Sequence, residues 1–127
     1  MASELRVNTL KDAAGANSVG MAYVAGGSAK MHCVVDQTST QSITGSFNLS
    51  SITDNGAGKT SMTMTSAMSD ATYTISGTGR VTGGNACIHD EDSGVTKTAS
   101  VFGVYFIRQD GGVSDTTAQS VVHGDLA

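Results

Sequence analysis

Tryptophan and proline are absent from this chain of 127 residues, cysteine and glutamate each occur twice, and only 14% of positions are charged. Each shortage removes a class of protein. A formal net charge of -4 leaves no basic excess to neutralise nucleic-acid phosphates. No window approaches the roughly 18 consecutive apolar residues of a membrane span, so no membrane insertion is expected. Three tyrosines and three phenylalanines are the only aromatics, which argues against a carbohydrate-binding module built on ring faces. Two glutamates offer no evident acid and base pair for glycoside hydrolysis, and no Gly-x-Ser-x-Gly elbow presents a serine nucleophile. Leu, Ile, Val and Phe together number only 24. That share borders on disorder, but the high net charge that accompanies disorder is missing as well.

What the chain has instead is Ser, Thr and Gly, 16 of each. The β-branched content is high, and apolar residues recur at a period of two more often than at 3.6. Ile43, Gly45, Phe47 and Leu49 alternate with small polar residues, as do Met62 and Met64, then Tyr73 and Ile75. Each run predicts a strand with one buried and one wet face. Turn signals fall between them: Asp54-Asn55-Gly56-Ala57-Gly58, Gly83-Gly84-Asn85, Asp92-Ser93-Gly94 and Gln109-Asp110-Gly111-Gly112. This spacing predicts an all-β chain, a small antiparallel β-sandwich, jelly-roll-like, over residues 31–127. The expected core is Phe47, Leu49, Met62, Met64, Tyr73, Ile75, Phe102, Val104 and Phe106.

The stretch Ala99 to Ile107 is apolar on both faces. With Phe102, Val104 and Phe106 inward, Val101, Tyr105 and Ile107 fall on the other face and are expected at a subunit interface. Residues 1–30 lack a core pattern. Leu5, Val7 and Leu10 make a short apolar patch followed by Ala- and Gly-rich connectors, which reads as a docking arm lying along a partner or a neighbouring copy.

The candidate chemical motifs are weak. Gly56-Ala57-Gly58-Lys59-Thr60 lacks the first glycine of a phosphate loop, since position 53 is Thr53, and a strand follows where a helix is needed. Gly77-Thr78-Gly79 lacks the third glycine of a dinucleotide fingerprint. Cys87, His89, Asp90 and Asp92 form the best group of potential ligands, with Cys87 and His89 on one side of a strand, but neither a zinc nor a calcium spacing is completed. Neither metal nor cofactor is expected. His32, His89 and His123 could each meet one of 32 Ser and Thr residues by chance, so no catalytic residue is assigned. Asn48-Leu49-Ser50 matches a glycosylation sequon only formally. The opening Met-Ala-Ser-Glu-Leu-Arg-Val-Asn has no apolar signal core, and the expectation is a reducing compartment in which Cys33 and Cys87 stay free and buried.

The stretch Ser46 to Gly58, continued by Ala67-Met68-Ser69-Asp70-Ala71-Thr72-Tyr73, resembles a β-rich module of tail-fibre and related virion proteins of bacteriophages, the marine ones especially. Ser3 to Leu10 is similar to their amino-terminal segment, and Val122 to Ala127 to their closing strand. The resemblance implies a non-enzymatic virion protein, assembled in the host bacterial cytoplasm: a tail fibre or fibre-like appendage subunit that docks by its arm. A homotrimer is the expected self-association, with other tail or capsid proteins and a host-surface glycan as further partners. A capsid decoration or head-fibre protein is the alternative setting, and a carbohydrate-binding module is a further alternative.

Overall fold

The structure, a computed structural model, describes residue 3, residues 5–80 and residues 87–127. The turn expected at Gly83-Gly84-Asn85 lies outside the described residues. Among the described residues, ten strands and one short helix follow in the order β1 (Thr9–Lys11), β2 (Ser18–Gly20), α1 (Met21–Gly27), β3 (Ala29–Asp36), β4 (Ser42–Phe47), β5 (Leu49–Asp54), β6 (Lys59–Met64), β7 (Thr74–Arg80), β8 (Cys87–Glu91), β9 (Val101–Arg108) and β10 (Thr117–His123). β1 and β2 form an isolated hairpin, and the other eight strands form two antiparallel sheets ordered β4-β3-β10-β7 and β5-β6-β9-β8.

The two sheets bury one face each against the other, so the fold is an antiparallel β-sandwich, as the period of two predicts. Met31, Cys33 and Val35 of β3 and Ala118 and Val122 of β10 meet Met62 and Met64 of β6 and Phe102, Val104 and Phe106 of β9. The central contact is one of sulfur on sulfur, with Cys33 Sγ 3.4 Å from Met62 Sδ. Met68 and Tyr73 close one end of this core, while Leu49 and Ile75 pack against its margin.

Phe47 corrects the expected core: it is 57% exposed. The run from Ile43 to Leu49 is not one strand but two, because Asn48 takes a left-handed φ of 55° and carries the chain from the first sheet to the second. Asn48 Nδ2 donates to the carbonyls of Lys30 and Ser66, and its Oδ1 accepts from the Ser66 amide, so the formal sequon is the pin of a corner. The reversal leaves Phe47 paired with His32 on the outer face, where the two rings stack 5.9 Å apart, and returns Leu49 to the inner one.

The expected hairpin at residues 54–58 joins β5 to β6, with Gly56 and Gly58 both at positive φ. Gly77 and Gly79 of β7 let the edges of the two sheets close together. A Cβ at Gly77 would collide with the Gln119 carbonyl and the His89 ring, and one at Gly79 would lie 2.8 Å from Cys87 Sγ. At one end of the sandwich a polar plug replaces apolar packing. Gln37, wholly buried, donates through Nε2 to Thr60 Oγ1 (2.8 Å) and accepts through Oε1 from the Thr116 amide (3.2 Å). Thr60 Oγ1 donates in turn to Gln41 Oε1.

The arm is not a bare connector. Its turn is organised by Asp12, whose carboxylate accepts from the amides of Ala16 and Asn17 and from Asn17 Nδ2. α1 buries no residue, and Leu5, Val7, Leu10, Val19 and Tyr23 are exposed.

Candidate functional site

Among the described residues, three places hold side chains that could do something beyond folding: the outer face of the β5-β6-β9-β8 sheet, the β7–β8 contact, and a cleft at the end of the sandwich away from the Gln37 plug.

On the outer sheet face, β9 alternates as expected. Phe102, Val104 and Phe106 are fully buried, and Val101, Tyr105 and Ile107 lie opposite them, half-buried. The chain itself covers part of this face. Gly103 has no side chain because Val95, from the loop after β8, occupies its place, with Val95 Cβ 2.7 Å from where a Gly103 Cβ would stand. Asp92 anchors that loop, accepting from Lys59 Nζ at 3.2 Å and from the Gly94 amide. Lys59 also lies 4.8 Å from the centre of the Tyr105 ring. What remains open is a strip of Ile88, Ile107 and Val113 at the far edge, with Ile88 55% exposed.

Cys87 and His89 do share one side of β8, as strand geometry requires. That side faces inward, towards Gly79 and Gly77. His89 Nε2 lies 3.2 Å from Ser120 Oγ, and its ring meets the Phe106 ring edge to face at 5.1 Å. Burial holds the His89 pKa below its usual value, against the opposing pull of Asp90 and Glu91. Asp92 is taken up in the Lys59 pair rather than turned towards Cys87. Among the described residues no three metal-ligating side chains gather into a site. Both cysteines carry free thiols; Cys33 is buried, and burial pushes its pKa up to about 11.

The cleft has a volume of about 250 Å³ and lies where the segment 68–74 meets the carboxyl-terminal segment. Its walls are tied by backbone bonds from the Ser69 amide to the Asp125 carbonyl and from the Ala127 amide to the Ala67 carbonyl. Tyr73 forms the floor, its hydroxyl donating to the Thr98 or Val101 carbonyl, at 2.9 and 3.1 Å. The mouth carries Ser69, Asp70, Thr72, Thr74, His123 and Asp125, and Gly26 of α1 forms one rim. Asp70 accepts through one oxygen from both the amide and the hydroxyl of Thr72, bonds that hold its carboxyl below the usual range.

Of the residues singled out by sequence, the structure brings His89 and Cys87 together inside and leaves the arm residues Leu5, Val7 and Leu10 open. The cleft residues have no sequence signature, because they come from three separated segments. No family model, no curated protein and no solved structure matches this chain.

Proposed function

We propose that this chain is a non-enzymatic structural subunit of a bacteriophage virion, a tail fibre or fibre-like appendage that docks through its amino-terminal arm and presents the sandwich for host attachment. The observation that carries the docking role is the contrast between a sandwich that closes its own core and an arm whose apolar side chains are left open, Leu5 at 81% and Tyr23 at 79% exposure. A two-stranded hairpin is marginal by itself and gains stability from a surface to lie on. The virion setting comes from the resemblance of Ser46 to Gly58 with Ala67 to Tyr73, of Ser3 to Leu10 and of Val122 to Ala127 to phage fibre modules. A homotrimer joined through the strip of Ile88, Ile107 and Val113, beside Val101 and Tyr105, would cover the apolar edge that this face leaves open. In favour of a non-enzymatic role, the histidine bonded to a serine, His89, is turned into the interior.

Immunogold labelling of intact particles tests the setting. Label on the tail supports a fibre, label over the shell moves the protein to capsid decoration or a head fibre, and unlabelled particles overturn the virion assignment. Deleting residues 1–12 is expected to abolish incorporation while leaving a soluble oligomer; normal incorporation of the truncated protein overturns the docking role.

A further inference from the structure

The cleft between segment 68–74 and the carboxyl-terminal segment is shaped and polarised for a ligand. Its shape is fixed by packing. A Cβ at Gly124 would stand 2.8 Å from both Met68 Cε and Tyr73 Cβ, so the absence of a side chain there is what lets the walls seat as they do. Met68 is fully buried and its amide is bonded to the Ala99 carbonyl, while the Tyr73 hydroxyl is held from below. Such a hollow is formed before any ligand arrives, which reduces the ordering cost of binding.

Its polarity is one-sided. The Asp125 side chain makes no hydrogen bond among the described residues, and Asp70 spends a single oxygen, on Thr72. Among the described residues neither carboxylate forms an ion pair. Ser69 and Thr74 add hydroxyls that can accept or donate, and His123 adds a ring nitrogen. An anion would be repelled by this lining. A neutral molecule that brings donors in adjacent pairs would satisfy it, since a carboxylate with two free lone-pair directions accepts two neighbouring hydroxyls at once. A cleft of about 250 Å³ has room for one such ring.

We infer that this cleft binds a single neutral saccharide unit through vicinal hydroxyls, with Asp125 and Asp70 as the principal acceptors. No ring face is open in the floor, since Tyr73 is buried, so the contact rests on hydrogen bonds and is weak per site. Copies held side by side on a particle would convert weak sites into firm attachment. That biological use rests on the attachment reading above, whereas the chemistry is a property of the isolated chain.

The test is a titration of the ¹⁵N-labelled full-length protein with methyl glycosides of glucose, galactose, mannose and fucose, and with sialic acid as the anionic comparison. At least one neutral glycoside is expected to shift the amides of Ser69, Asp70, Thr72, Gly124 and Asp125, while sialic acid leaves them in place. Asp125→Ala, at an exposed position, should keep the rest of the spectrum and weaken binding about tenfold. No shift with any of the four glycosides, shifts confined to another surface, or unchanged affinity in Asp125→Ala each overturns the inference. Any of these results leaves the immunogold outcome untouched, so the two proposals fail separately.

Discussion

Replacing Gln37 with alanine removes a wholly buried side chain that ties the two sheets together at the end of the sandwich opposite the cleft. Two bonds go with it, to Thr60 Oγ1 at 2.8 Å and from the Thr116 amide at 3.2 Å. Their fates differ. Thr60 keeps a partner in Gln41 Oε1, but the Thr116 amide is left in a buried residue with nothing to receive its hydrogen. An orphaned buried amide costs about 1–3 kcal/mol, and the vacated volume adds a cavity cost of similar order, so the total should reach about 3 kcal/mol. For a domain of this size that lowers the melting temperature by roughly 10–15 °C. Gln41→Ala is the control: Gln41 bonds to an exposed carboxylate and to the Lys59 carbonyl, near water that can replace it, and should cost about 1 kcal/mol. Urea unfolding followed by circular dichroism reads both, with an unchanged m-value expected. If Gln37→Ala costs no more than Gln41→Ala, the plug is not a buried staple and the reasoning fails.

The remaining expectations use the same unfolding assay or simple chemistry. Phe102→Ala should lose about 3–5 kcal/mol, whereas Phe47→Ala, on the outer face, should stay within about 0.5 kcal/mol; equal losses would contradict the corner at Asn48. Gly77→Ala places a methyl against the Gln119 carbonyl and the His89 ring and should destabilise by more than ~2 kcal/mol, and wild-type stability would refute the close approach of β7 and β8. Because the folded His89 pKa lies below its ordinary 6.5, the unfolded chain takes up a proton that the folded chain refuses. Stability is therefore full above pH 6.5 and declines as pH falls from there towards the lowered folded value. His89→Gln should flatten that slope, and an unchanged slope would assign it elsewhere. In the native protein, iodoacetamide should modify Cys87 well before Cys33, as mass spectrometry of the labelled chain will show; Cys33 is buried, with its pKa pushed up to about 11.

Where the alternation was carried by strands buried on one side, sequence and structure agree. Met62 and Met64, Tyr73 with Ile75, and the odd and even residues of β9 all fall on the faces that a period of two assigns. The period misled at Phe47 because a single residue in left-handed conformation, Asn48, switches the chain between sheets without interrupting the pattern of letters. β3 is central yet poorly marked: Met31, Cys33 and Val35 point inward, but none is a large aliphatic or aromatic side chain. The cleft was illegible for a different reason. Gly26, Tyr73 and Gly124 lie far apart in the chain and meet only in the folded molecule, and a glycine that makes room for Met68 looks like any other glycine. Likewise the partial cover of Gly103 by Val95 depends on a loop whose path no local rule predicts.

The interior of this sandwich is built to a large extent from sulfur. Met31, Met62, Met64 and Met68 join Cys33 in the core, all at 4% exposure or less. Thioethers adapt to irregular space, which suits a chain short of large aliphatic residues. They are also the side chains that an oxidant converts from apolar to polar. While the sheets stay closed, that chemistry is kept out; each opening exposes several sulfurs at once, and every sulfoxide formed makes reclosure harder. Because sulfur oxidation is slow beside reclosure, the working lifetime of the domain in an oxidising medium follows the fraction of time it spends open, and damage accumulates as a ratchet that lowers stability at each step.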